Sequence, residues 1–289
     1  MSRETPYGLR EAAEFLGVHY MTVYRYIRTG RLPARQSGSH WLISETDLKR
    51  FSRTKSAGGG RGKRLRLDSN ASDRLVARLL VGDEGGCWGI VEEALAGGAV
   101  PRDVYVDLFG PALITVGDLW ARGVITVADE HRASVVVHRL VGRLGPLFRP
   151  RGPRAGTVIV GAPAGELHGL PTAFVADILR SQGLEVIDLG ADVPPDAFAA
   201  CARSAESLIA IGIAVTLGQH RRSLGVLIRT LRAAGVTARI VVGGAGITEA
   251  QARHLGADHW ARDVDDAALL LATPDVSPVP PSHRQALER

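Results

Sequence analysis

The chain has 289 residues, of which 45% are hydrophobic and 22% charged, and its formal net charge is +5. That balance excludes wholesale disorder; two cysteines exclude a disulfide framework or a cysteine zinc site, and the absence of a signal stretch or an apolar run near the roughly 20 residues of a membrane span points to a cytoplasmic protein. Residues 1–67 hold 14 Lys and Arg against 5 Asp and Glu, and the remainder 21 against 25, so a basic head on a mildly acidic body is expected to meet a polyanion, nucleic acid first.

Residues 6–52 form the first block. Leu9, Ala12, Ala13 and Leu16 give a short helix one apolar face, and Gly17 breaks it. His19 to Thr29 is predicted as a second helix, with Val23 and Ile27 inward and Tyr20, Thr22, Arg25 and Arg28 on the other face. Such side chains reach base edges and phosphates from a helix in the major groove. A short hairpin around Ser37-Gly38-Ser39 follows, carrying Arg35, and Ser44 N-caps a third helix from Leu48 to Phe51. Tyr24 is open to either reading, DNA contact or packing on the helix.

The stretches REAAEFLGV, TVYRYIRTGRLPA and HWLISETDLKRF resemble the winged helix-turn-helix of the excisionase and MerR-like group. The resemblance covers about 45 residues and implies binding of double-stranded operator DNA through Tyr20, Thr22, Arg25, Arg28 and Arg35. One such head buries little DNA, so a homo-oligomer, dimer or tetramer, is expected.

Residues 53–69, RTKSAGGGRGKRLRLDS, read as a basic flexible linker; the glycines at 58–60 follow no strand and are not a phosphate loop. Residues 70–148 are predicted as a four-helix bundle, with amphipathic helices over 72–82, 86–97, 101–119 and 126–146. Gly123 closes the third helix, and Thr126 with Asp129 has capping-box spacing at the start of the fourth. Trp120, Glu130 and His131 are thereby expected at one end of the bundle, where each also has an ordinary structural reading.

Residues 156–272 alternate short apolar runs with amphipathic segments, the pattern of a Rossmann-like parallel α/β sheet. Strands are predicted at Thr157–Val160, Glu185–Leu189, Leu208–Ala214 and Arg239–Val242, with a fifth near Asp258 to Ala261, and ligands bind at the carboxyl ends of such strands. Glu166-Leu167-His168, Val215-Thr216-Leu217 and Gly243-Gly244 all fall there. In the first, the imidazole suits a metal and the carboxylate suits its second ring nitrogen. The tail 273–289 carries four prolines and is read as disordered.

This layout resembles the B12-binding domain with its DxHxxG, SxL and GG signature. The resemblance implies a cobalamin with His168 as lower cobalt ligand, Glu166 and Gly169 around it, and Val215, Thr216, Leu217, Gly243 and Gly244 beside the nucleotide tail. Glu166 stands for the aspartate, Pro171 for the last glycine, and Val215 for the serine. Trp120, nine further residues and Glu130-His131 match the W-x9-EH pattern of CarH-type B12-dependent photoreceptor regulators. That resemblance implies adenosylcobalamin capped on its upper face by the bundle, with Trp120, Glu130 and His131 in the pocket. It implies a repressor that assembles on operator DNA in the dark and falls apart when light breaks the cobalt–carbon bond. Best-known members have a histidine directly after the tryptophan; here it is Ala121. Two alternatives stand beside this reading: a light-independent corrinoid-sensing regulator and a corrinoid methyl-carrier protein. No catalytic nucleophile or acid–base pair is found, so an enzyme is not expected.

Overall fold

The structure is a computed structural model that describes residues 7–16, 23, 26–27, 32–37, 40–57, 70–148, 152 and 154–273. The chain divides into two compact units, residues 1–146 and 147–289.

In the head, α1 (Leu9–Leu16) buries Ala12, Ala13 and Leu16, the face its spacing predicts. Val23, Tyr26 and Ile27 are helical and buried in the same core with Leu32, Ile43 and Leu48. β1 (Arg35–Ser37) and β2 (His40–Leu42) form an antiparallel pair with Arg35 opposite Leu42. Ser44 caps α2 (Glu45–Ala57), accepting from the Asp47 N–H at 3.1 Å. The helix runs to Ala57, so residues 53–57 belong to it and not to the linker expected from 53. No breaker stands before the Gly58–Gly60 run. The rest of the expected linker and the tail from 274 lie outside the described residues.

The second part of this unit holds α3 (Ala71–Val81), α4 (Glu84–Ala96), α5 (Pro101–Ala121) and α6 (Val127–Leu144). α3 packs against the other three. Its start pairs with the end of α4 through Arg74 and Glu93 at 2.6 Å, and its end meets the start of α6 through Arg132, which donates to the Leu80 carbonyl at 2.7 Å. Both neighbours are therefore antiparallel to α3. Leu75, Leu79, Val91, Tyr105, Phe109, Val137 and Leu140 fill the interior, together with Cys87, whose thiol burial pushes up to about 11. That is an inert core thiol.

Two features of α5 depart from the sequence reading. Its 21 residues are long and apolar enough to cross a membrane by length and composition alone; yet Val104, Leu108, Ala112 and Val116 are buried in the bundle. It is also not uniformly α-helical: Val104–Phe109 is a π segment, and the Gly110 N–H bonds to Tyr105 O. Pro111 explains it, because a proline ring in a regular helix collides with the carbonyl four residues back, here Asp107. Widening the turn removes the collision.

The second unit is a five-stranded parallel sheet in the order β4-β3-β5-β6-β7. Its strands are β3 (Thr157–Gly161), β4 (Glu185–Asp188), β5 (Leu208–Ala214), β6 (Arg239–Gly243) and β7 (His259–Ala261). The helices are α7 (Leu170–Ser181), α8 (Pro195–Ser204), α9 (Arg221–Ala233), α10 (Glu249–His254) and α11 (Val264–Ala272). β3 is buried along its whole length, as a central strand covered on both faces must be. Strand order reverses at β3 and β5, which leaves a crevice beyond their carboxyl ends.

Candidate functional site

The loop after β3 enters that crevice. Glu166 is fully buried within it. Its Oε1 accepts from the His168 N–H at 3.2 Å and lies 2.5 Å from His168 Nδ1. Its Oε2 accepts from the Thr216 and Leu217 N–H groups at 2.8 and 3.0 Å. Burial on its own would raise this carboxyl. The His168 ring and the three backbone donors outweigh burial and hold it down at about 2. A carboxylate fixed at four points selects the Nδ1–H tautomer of His168 and leaves the lone pair on Nε2.

The His168 side chain is 41% exposed while its carboxylate partner has no exposure. That is the arrangement of an imidazole offered to a ligand from a rigid base. Among the described residues, no group of three or more His, Cys, Asp or Glu side chains could hold a metal ion. The donor set therefore does not fit zinc, which takes three or four protein ligands. It fits a metal that brings its own equatorial ring, and a corrinoid cobalt is such a metal. His168 would hold that cobalt, and Glu166 would orient His168.

The other parts of the sequence-derived site take separate places. Gly169 precedes α7, and its carbonyl accepts from the Thr172 hydroxyl at 2.8 Å. Val215 is buried in the sheet core, and its N–H donates to Gly243 O at 2.8 Å. Thr216 is half-buried and Leu217 exposed. The diglycine has a reason of its own in this structure. Gly244 has φ +114°, and a Cβ there would lie 2.2 Å from Val215 O. Gly246 is also tight: a Cβ there would lie 2.6 Å from the Leu217 carbonyl carbon. Only glycine permits this approach, so these residues lock the β5 and β6 loops together.

Sequence reading missed two residues here. Asp192, after β4, accepts from the Gly165 N–H at 2.7 Å through its side chain, and its own N–H donates to Glu166 O at 2.8 Å. It has φ +55°, a left-handed conformation that aspartate tolerates. His220 lies against Gly165, where a Cβ would stand 3.1 Å from its Nδ1. Asp192 was legible as an acidic residue just past a strand's carboxyl end, next to Asp188 and Gly190. His220 has no neighbour in the sequence that marks it, because its contact with Gly165 joins residues 55 apart.

In the bundle, Thr126 and Asp129 form the expected capping box: the Thr126 hydroxyl accepts from the Asp129 N–H at 3.3 Å, and Asp129 accepts from the Thr126 N–H at 2.9 Å. The Thr126 bonds hold the Asp129 carboxyl below its usual range. Gly123 has φ +68° and ends α5. Trp120 is 44% exposed, with Val124 and Val127 exposed near it in the chain. Glu130 Oε2 lies 2.6 Å from His131 Nδ1. In the head, Arg35 is exposed on β1, whereas Tyr20, Thr22, Arg25 and Arg28 lie outside the described residues.

Comparisons with known proteins agree with this geometry. A B12 binding domain matches residues 71–144, another matches 156–269, and a helix-turn-helix domain matches 7–56. Trimethylamine corrinoid protein 1 of Methanosarcina mazei is 25% identical over 182 residues, covering 61% of this chain and 84% of the relative. Trimethylamine corrinoid protein 2 of Methanosarcina acetivorans is 28% identical over 181 residues, covering 61% and 82%. The structure of the Methanosarcina barkeri monomethylamine corrinoid protein superposes with a TM-score of 0.61 at 20% identity, over 70% of this chain and 96% of that one. The domain matches and the sequence relatives support corrinoid binding, and the likeness to the solved structure shows the fold. In chain order, the matches are to a helix-turn-helix domain and then to two B12 binding domains.

Proposed function

We propose that the chain is a corrinoid-dependent DNA-binding regulator, that its effector is adenosylcobalamin, and that light acts on it through the cofactor's upper ligand. The observation that carries this reading is the joining, in one chain, of a helix-turn-helix domain to the Glu166–His168 imidazole base. A carrier that only hands on a methyl group has no use for a DNA-binding head. When bound, the cofactor supplies a cobalt–carbon bond that light breaks. His168 would hold the cobalt, with Glu166 fixing its ring and tautomer. Thr216, Leu217 and Gly169 border the same loop ends. Trp120 would cover the cofactor's upper ligand, and Glu130 would hydrogen-bond it. Tyr20, Thr22, Arg25, Arg28 and Arg35 contact operator DNA. Each head binds weakly, and assembly of several copies supplies the avidity that light withdraws.

The carrier reading has its own support in the names of the relatives, which are corrinoid proteins of methylamine systems. The two readings part in one experiment. The purified chain is loaded with adenosylcobalamin in the dark, sized by gel filtration with spectra recorded alongside, then illuminated and sized again. Regulation by light requires that spectrum and oligomeric state change together. Photolysis with an unchanged assembly contradicts it and favours the carrier.

A further inference from the structure

Two loops hold Glu166, one by its carboxylate and one by its backbone. The carboxylate takes the Thr216 and Leu217 N–H groups beyond β5. The backbone is held from beyond β4, where pairing with β3 continues past the strand ends: the Ala162 N–H donates to Gly190 O at 2.8 Å, and the Val193 N–H to Ala162 O at 3.0 Å. Pro163 to Glu166 then form a tight turn, closed by the Glu166 N–H on Pro163 O at 2.9 Å, with Gly165 in its third position at φ +88°. The middle peptide of such a turn, here Ala164–Gly165, can point either way, and a glycine in third place permits both. Its N–H is the one that Asp192 pins. The Asp192 carboxylate accepts from the Gly165 N–H at 2.7 Å, and the Asp192 N–H donates to Glu166 O at 2.8 Å. The left-handed backbone of Asp192, φ +55°, aims its side chain and its N–H at the same turn. Aspartate and asparagine bear that conformation more easily than most residues.

We propose that Asp192 is a positioning residue for the corrinoid base: by fixing the 163–166 turn it holds Glu166, and through Glu166 the His168 imidazole, where that ring would meet cobalt. This rests on the corrinoid reading above. Asp192 acts through Glu166 and not on the cofactor itself.

The full chain, its histidines labelled with the heavy isotope of nitrogen, is loaded with unlabelled cob(II)alamin without oxygen, freed of excess by gel filtration, and its EPR spectrum recorded. An axial nitrogen splits the Co(II) lines into doublets when it is the heavy isotope and into triplets when it is the ordinary one, so the spectrum tells a protein imidazole from cobalamin's own base. The wild-type chain is expected to show doublets and His168→Ala to lose them. Asp192→Gly keeps the backbone conformation and the N–H but removes the acceptor; it is expected to lower the ratio of protein-ligated to other cobalt at least tenfold. Asp192→Asn keeps an oxygen for the Gly165 N–H and is expected to restore the doublets. The proposal is overturned if the cobalt bound by Asp192→Gly shows the wild-type doublets, or if Asp192→Asn loses them as fully as Asp192→Gly. It is also overturned if Asp192→Gly retains no cobalamin where His168→Ala retains it, because Asp192 then acts on binding and not through His168. A wild-type chain that retains no cobalamin, or shows only triplets, overturns the reading of His168 on which the proposal rests.

Discussion

Glu166→Gln tests the base of the site. The wild-type carboxyl titrates at about 2 in the folded chain against 4.5 for the free group. A folded pKa below the unfolded one contributes stability that is present above pH 4.5 and is lost as pH falls through 2. A difference of roughly 2.5 units corresponds to about 3 kcal/mol at neutral pH. Glutamine keeps one oxygen for the Thr216 and Leu217 N–H groups but turns an NH2 donor toward His168. The variant is therefore expected to lose about 2–3 kcal/mol at pH 7. The gap should narrow steadily between pH 4.5 and pH 2, because the wild type loses there what the variant never had. Urea-dependent hydrogen exchange, resolved to the peptides of β3 through β6, reads the stability of this unit within the full chain. A variant within about 0.5 kcal/mol of wild type at pH 7, or a gap that stays constant down to pH 2, refutes the reading of Glu166 as the ionised anchor of His168.

Three further perturbations follow from the same geometry. Gly244→Ala combines a positive φ with a Cβ 2.2 Å from Val215 O; it should cost at least ~2 kcal/mol and expose the β5 and β6 loops to faster hydrogen exchange, and a neutral melt would contradict the close approach. Thr126→Ala removes the cap of α6 and should cost about 1 kcal/mol, read as a lower denaturation midpoint, with Thr126→Ser close to wild type. Arg35→Ala in the head should weaken binding to DNA of any sequence and reduce the salt slope by about 1; an unchanged slope would remove the hairpin from the interface.

The parallel sheet was legible because its signals are local. Apolar runs of strand length such as Thr157–Val160 and Leu208–Ala214 leave no other reading once amphipathic segments separate them. The capping box at Thr126 and the Glu166–His168 pair were equally visible, since both join residues two or three apart. What escaped depends on chain brought from a distance. The bonds from the Thr216 and Leu217 N–H groups to Glu166 span 50 and 51 residues, and no periodicity records them. Val215 stands where the signature has a serine, and in the structure the Glu166 carboxylate takes its donors from the backbone of the two residues that follow. The glycines at 243 and 244 read as room for a ligand's tail, whereas Gly244 is required by contact between two loops. The π segment follows from Pro111, which a helix drawn through 101–119 passed over.

The central claim is that corrinoid state controls DNA binding. The direct measurement selects duplexes from a random-sequence pool with the adenosylcobalamin-loaded chain in the dark. The affinity of the recovered duplex is then measured at one fixed salt concentration, before and after illumination. Selective binding that changes at least tenfold on illumination, and does not change in a His168→Ala chain, is the expected result. A duplex bound with the same affinity in the dark, in the light and without corrinoid would contradict the claim.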